Sequence, residues 1–211
     1  MDGDIAPLPQ ISELAKKYKA MVMVDDAHAT GILGKHGGGT VDHFNLEGKV
    51  DIIMGTFSKS LASIGGFIAG TKEVIHWIQH FARPFIFSAS LPAANVAPVL
   101  AALEIIREEP ERVEKVNRLA RRMRAELQAL GYNTGNSQTP IIPIVIGDDE
   151  KGFMLWKLLR EEGIFTTPVI YPAVPQGQAL IRTSYGAGHT DEELDAILAA
   201  FEKCGKALGI I

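Results

Sequence analysis

Two short apolar runs, each ending in a cluster of ionisable side chains, constrain this chain more than any other feature. Met21-Val22-Met23-Val24 leads directly into Asp25-Asp26-Ala27-His28. Asp51-Ile52-Ile53-Met54 leads into Gly55-Thr56-Phe57-Ser58-Lys59-Ser60. Apolar runs this short, flanked by polar turns and spaced by helical periodicity, read as buried strands of an α/β sheet. Ligands in such sheets bind beyond the carboxyl ends of the strands, so the two polar clusters form the candidate site.

Composition narrows the class. With 211 residues, 46% of them hydrophobic, the chain can build one large domain or two small ones. The net charge of −4, from 21 basic and 25 acidic residues, leaves no basic footprint for nucleic acid or an anionic membrane. No apolar run approaches the ~20 residues that span a bilayer. Met1-Asp2-Gly3-Asp4 lacks the basic and apolar regions of a signal peptide. A single cysteine, Cys204, cannot form an internal disulfide, which fits a reducing, cytoplasmic setting. With no cysteine pair, no metal site is expected.

Periodicity predicts the elements. Ile5 to Pro9 reads as extended, and 11–18 as a helix with Ile11, Leu14, Ala15 and Tyr18 on one face. Five glycines between Gly31 and Gly39 demand a loop. No Gly-Lys-Ser/Thr follows them, so the loop is not a P-loop phosphate cradle. Strands are expected at Ile52–Met54, 65–70 and Phe85–Phe87, with a helix over Lys72–Phe81 and another opened by Pro92. Glu108-Glu109-Pro110 breaks the helical pattern and marks a domain boundary. Beyond it, Val113, Val116, Leu119, Met123 and Leu127 form the seam of a long helix that ends at Gly131. Strands at Ile141–Ile146, Ile164-Phe165 and Leu180–Ser184 then alternate with helices over Phe153–Glu162 and after Thr190-Asp191-Glu192-Glu193, a capping box. Trp77 and Trp156 lie on helical faces and need no function. Cys204 falls on the apolar stripe of the last helix and is core, while His189 reads as structural.

The polar clusters admit two readings each. Lys59 is either a surface lysine or a nucleophile held beside Thr56, Ser58 and Ser60. Asp25 is either a turn cap or an acid facing a ligand, with Asp26 its local competitor. His28 is either a satisfied structural histidine or a ligand contact. Ser88 can simply cap the helix after Pro92, and Arg182 can be half of a buried ion pair. Lysine, hydroxyl, acid and histidine together are what pyridoxal phosphate (PLP) requires.

Asp25-x-x-His28, Thr56-x-x-Lys59, the run 82–90 (Ala-Arg-Pro-Phe-Ile-Phe-Ser-Ala-Ser) and Leu180-Ile181-Arg182 resemble the PLP-dependent α-oxoamine synthases. That family includes 8-amino-7-oxononanoate synthase (a biotin-biosynthesis enzyme), 2-amino-3-ketobutyrate CoA ligase, 5-aminolevulinate synthase and serine palmitoyltransferase. The resemblance runs through essentially the whole chain in order and spacing. It implies fold type I of the PLP-dependent transferases (aspartate aminotransferase-like, α/β). Residues 1–108 would form part of the PLP-binding large domain, and residues 109–211 the small carboxyl-terminal domain. It also implies that the chain corresponds to the carboxyl-terminal half or so of a family member, without the residue that stacks on the PLP ring.

The same resemblance implies roles. Lys59 would form the Schiff base, Asp25 would face the pyridinium nitrogen and His28 the phenolic oxygen. Thr56 would bind phosphate. Ser88 and Ala89 (the latter through its backbone) would reach the phosphate of a neighbouring subunit, in a homodimer with shared active sites. Arg182 would fork onto the amino acid's carboxylate. The implied reaction condenses an amino acid with an acyl-CoA to an α-amino ketone, usually with loss of carbon dioxide. Residues 55–67 resemble serine palmitoyltransferases, whereas Lys72-Glu73-Val74-Ile75 and Arg83-Pro84 look equally like the ketobutyrate ligase. An aminotransferase, or a non-catalytic split subunit needing a partner half, are the competing readings.

Overall fold

A computed structural model describes residues 2–211. Packing divides the chain into two compact units, Ala6–Val113 and Glu114–Ile211, the second also holding the segment through Ile5.

In the first unit, Pro7 precedes helix α1 (Leu8–Tyr18) and Pro9 lies in its first turn. A missing N–H costs nothing there, so the extended segment ends earlier than proline content predicts. Strand β1 (Met23–Asp25) follows. Val22 before it is buried, but Met21 and Met23 are 66% and 57% exposed, so this strand is covered on one face only. The glycine loop leads to a short helix, α2 (Thr40–His43). Strand β2 (Ile52–Thr56) runs parallel to β1, pairing Met23 with Ile52 and Asp25 with Met54. Strand β3 (Gly66–Gly70) pairs antiparallel with the other side of β2, giving the order β1-β2-β3. Leu8, Val22 and Val41 form the buried centre, packed by Val24, Phe44, Leu46 and Ile53.

Helix α3 (Lys72–Phe81) occupies the predicted span. The strand expected over Phe85–Phe87 does not form. Arg83–Ile86 is instead a four-residue helix, α4, with Pro84 in its first turn. Periodicity cannot separate a short apolar strand from a helical turn, and Pro84 presets the helical φ. Helix α5 (Ala93–Glu108) and helix α6 (Glu111–Ala129) meet across Glu109-Pro110, as predicted. Much of this unit's apolar surface is open: Tyr18, Trp77, Phe81, Phe85 and Phe87 are each at least 60% exposed.

The second unit carries strand β4 (Ile141–Gly147), helix α7 (Asp149–Glu161), strands β5 (Thr167–Val169) and β6 (Ala179–Ser184), and helix α8 (Asp191–Ala207). Its sheet is antiparallel in the order β4-β6-β5. Ile164-Phe165 is not the strand expected: pairing starts at Thr167, and Phe165 stays 84% exposed. Pro168 is tolerated because β5 is an edge strand. The predicted seam of α6 is the buried one, with Leu119, Met123 and Leu127 packed against Ile142, Ile144, Leu155, Ile181 and Phe201. The capping box forms in both directions, Thr190 Oγ1 accepting the Glu193 N–H and Glu193 accepting the Thr190 N–H. Arg122 on α6 adds ion pairs to Asp191 and Asp195 on α8. Gly3 explains why the amino terminus belongs here. Its carbonyl accepts the Gln138 and Thr139 N–H groups at 2.7 and 3.1 Å, and with φ +78° a side chain there would meet the Ile141 carbonyl. Among the described residues, no helix is long and apolar enough to cross a membrane.

Candidate functional site

Because β1 and β2 are parallel neighbours, their carboxyl ends open on the same edge of the sheet. Asp25 is the last residue of β1, level with Met54 of β2, and two residues beyond Met54 lies Thr56. The two polar clusters are therefore side by side, although about 30 residues separate them in sequence.

The first cluster is a tight turn. Asp25 is exposed and its Oδ1 accepts the Ala27 N–H at 2.9 Å. Asp26 is the opposite case, only 1% exposed. Its N–H donates to the Met54 carbonyl, its carbonyl receives the Ala29 and Thr30 N–H groups, and its Oδ2 accepts the Thr40 N–H at 3.0 Å. Gly39, at φ +93°, lies so close that a Cβ would overlap the Asp26 carboxylate. The two adjacent aspartates thus divide into an inward anchor and an outward group, and His28 follows in the same turn, half-buried.

Burial pushes the Asp26 carboxyl up from its ordinary value. The Thr40 bond opposes this shift and the Asp25 charge adds to it. A carboxyl raised on folding stabilises below its unfolded value of 3.8, and that contribution is lost as pH rises through the folded value. Asp26→Asn removes the penalty of the buried charge and keeps an acceptor for Thr40. Thermal melts should show the variant gaining on the wild type from pH 4 to pH 7. A difference independent of pH would contradict the assignment.

The second cluster is a turn closed by hydroxyls. Thr56 Oγ1 lies 2.9 Å from Ser58 Oγ, donates to the Gly65 carbonyl at 3.2 Å and accepts the Ser58 N–H at 3.3 Å. The Phe57 N–H also reaches the Gly65 carbonyl, and the Lys59 carbonyl accepts the Ala62 N–H. Ala62 takes φ +50°, a left-handed conformation that costs an L-residue energy and persists only when its surroundings enforce it. Lys59 itself is exposed.

The remaining predicted residues lie on other elements. Ser88 follows α4, and its hydroxyl donates to the Pro84 carbonyl. It therefore closes the end of α4 and does not cap α5, whose N-cap, Pro92, has no side-chain bond. Ala89 beside it is exposed. Arg182 belongs to the second unit, on the central strand β6 between Pro143 and Thr167. Ile181 and Thr183 point into the core, so strand alternation puts Arg182 on the sheet's other face, half-buried. Cys204 is buried, and burial raises its thiol, which keeps it protonated and inert. His189 Nδ1 accepts the Gly186 N–H at 3.0 Å, a structural role.

The expectation of no metal overlooks one pair with ligand spacing, His76 and His80 on α3. Its rings lie 4.3 Å apart, but His80 Nδ1 bonds the His76 carbonyl, and no third ligand joins them among the described residues.

Sequence reading missed Thr30, and it named Asp26 only as a competitor of Asp25 and Ser60 only as a neighbour of Lys59. Ser60 Oγ donates to the Thr30 carbonyl at 2.5 Å, joining the two turns directly. The only local signal was the position of Ser60 next to Lys59. As a donor set, an exposed carboxylate, an imidazole, two hydroxyls and an amine at one sheet edge suit PLP, which has a basic ring nitrogen, a phenol, a phosphate and an aldehyde.

Residues 1–201 match the family model for aminotransferase class I and II. The chain is 51% identical over its full length to an 8-amino-7-oxononanoate synthase of Thermosipho melanesiensis, covering 54% of that protein. It is 48% identical to the enzyme of the same name from Thermoanaerobacter pseudethanolicus, covering 53%. Among solved structures, it superposes with a TM-score of 0.95 on a serine palmitoyltransferase variant from S. paucimobilis with a bound PLP–myriocin aldimine. That protein is 35% identical, and the alignment covers all of this chain and 54% of that one. The chain thus spans about half the length of the curated relatives it matches.

Proposed function

Since the chain belongs to the aminotransferase class I and II family, we propose that it forms the carboxyl-terminal part of a PLP-dependent C-acyltransferase that condenses an amino acid with an acyl-CoA to an α-amino ketone. The observation that carries this reading is the common sheet edge: Asp25, His28, Thr56 and Lys59 leave two parallel strands on the same side. The similarity to 8-amino-7-oxononanoate synthases favours that substrate class, and the likeness to serine palmitoyltransferase keeps a longer acyl chain as the alternative. A cytoplasmic homodimer, with Ser88 and the Ala89 amide reaching a neighbouring site, belongs to the same proposal.

Bound PLP supplies an electron sink for the charge left when a bond to the substrate Cα breaks. Lys59 would hold the cofactor through its amine, and the same amine would serve as the acceptor of the substrate Cα proton. Asp25 holds the ring nitrogen protonated, and its exposed carboxylate at the end of β1 is free of the burial that occupies Asp26. His28 would hydrogen-bond the phenolic oxygen, and Thr56 would bind phosphate. Arg182 orients the amino acid by its carboxylate with a planar fork of donors. The condensation would join the amino acid Cα to the thioester carbonyl carbon as the carbon–sulfur bond breaks and CoA leaves as the thiol; in the usual decarboxylating case the bond from Cα to the carboxylate breaks and Cα takes a proton in its place.

The test is an assay of thiol release from acyl-CoAs of graded length with alanine, serine or glycine as co-substrate. Amino-acid-dependent thiol release supports the synthase. Amino-group transfer to a 2-oxo acid without thiol release would establish an aminotransferase instead. One observation favours a second reading, in which the chain works only with further polypeptide. Tyr18, Trp77, Phe81 and Phe87 are each at least 60% exposed, large apolar side chains of the kind that suit contact with further polypeptide. Activity that appears only after an amino-terminal half is added would support it.

A further inference from the structure

We propose that Asp26 and Ser60 are positioning residues for Lys59, joined through Thr30 into a latch that holds the lysine turn against the Asp25–His28 turn. The inference rests on the reading of Lys59 as the cofactor-bearing lysine.

The latch is built from the buried end outward. Asp26 is locked from three sides: its N–H to the Met54 carbonyl of β2, its Oδ2 to the Thr40 N–H, and its carbonyl to the Ala29 and Thr30 N–H groups. Thr30 Oγ1 donates to the same Asp26 carbonyl at 3.0 Å. Thr30 is therefore held by backbone and side chain, and its own carbonyl receives Ser60 Oγ at 2.5 Å. The loop beyond is drawn in by the Gly31 N–H to the Gly37 carbonyl at 2.8 Å. Gly31 then packs so close to Ser60 that a Cβ would stand 2.7 Å from its hydroxyl.

What the latch restrains is a turn that contains a left-handed, non-glycine residue, Ala62. The turn closes through the Ala62 N–H to the Lys59 carbonyl at 3.0 Å and the Ser63 N–H to the Phe57 carbonyl at 2.8 Å, with Ala62 in the left-handed region. Ser63 ties the far side of the turn to α5, its hydroxyl donating to the Asn95 carbonyl at 2.6 Å. Ser60 ties the near side to the Asp26 loop, so the turn is stretched between two supports. Lys59 sits one residue before the second of these. An exposed lysine with a flexible stem has only its backbone to aim it. Misplacement of a reacting group by about 1 Å can cost on the order of a hundredfold in rate.

The experiment is amide hydrogen exchange on the whole chain, for Ser60→Ala, Asp26→Ala and Asp26→Asn. In S60A the Ala62 amide should exchange about three- to tenfold faster, the effect of one lost hydrogen bond. The β3 amides should be unchanged. Asp26→Ala should act in the same direction, and Asp26→Asn should retain wild-type exchange because the amide oxygen still accepts from Thr40. Should Asp26→Ala fail to fold, S60A and Asp26→Asn decide the matter. Unchanged exchange at Ala62 in S60A, or loss of protection in Asp26→Asn equal to that in Asp26→Ala, overturns the latch.

A second readout is the PLP concentration that half-saturates borohydride trapping at Lys59, with the amino-terminal half supplied if trapping needs it. It should rise in S60A by a similar factor, and an unchanged value overturns the positioning role. Absence of trapping at Lys59 in the wild type would sink the cofactor reading instead, while amide exchange still decides whether the latch exists.

Discussion

Lys59→Ala should eliminate PLP labelling. After incubation with PLP, borohydride reduction and peptide mapping, the wild type should carry the added mass on the peptide containing Lys59, and the variant on no peptide at comparable yield. The reason is local. Lys59 is an exposed amine at a sheet edge that also presents Asp25, Thr56 and Ser58. In the completed enzyme the same change should lower turnover by on the order of a thousandfold, the usual worth of a positioned proton acceptor. Equal labelling of wild type and variant would mean that PLP reacts with scattered lysines and that the site is misassigned.

Phe201→Ala should be the most damaging single change to stability. Phe201 is fully buried in α8 and packs edge-on against Tyr132, with ring centroids 5.6 Å apart. It packs within a cluster drawn from α6, α7, α8 and the sheet, so its truncation leaves a void among buried side chains. The expected cost is about 3–5 kcal/mol. The Tyr132 hydroxyl bonds the Phe201 backbone carbonyl, so that bond survives truncation and the loss reports packing alone. Phe165→Ala, on a side chain 84% exposed, is the matched control and should change stability by less than about 0.5 kcal/mol. Urea titrations of both variants check the pair. A Phe201→Ala midpoint close to wild type would show that this core is not packed as described.

Local chemistry made some elements legible in the sequence. The α6 seam was readable because Val113, Val116, Leu119, Met123 and Leu127 repeat at helical spacing on an otherwise charged segment. The α8 start was readable because a capping box needs only Thr190 and Glu193 three residues apart. Phe85-Ile86-Phe87 misled because three apolar residues fit a strand or a helical turn equally, and Pro84 favours the helical turn. Ile164-Phe165 misled because pairing in β5 begins two residues later.

For the site, residue order alone determined which groups are available: a carboxylate and imidazole after one strand, and hydroxyls and an amine after another. Their spacing along the chain was also enough to raise the family resemblance. Only the tertiary structure decided that the two strands are parallel neighbours, that Asp26 turns inward while Asp25 faces out, and that Ser60 reaches Thr30 across 30 residues. Sequence spacing specifies which face of a strand or helix a residue occupies, because backbone geometry repeats at fixed intervals. It does not specify which segments meet, or which of two adjacent acids is desolvated. Those outcomes depend on burial against residues distant in the chain.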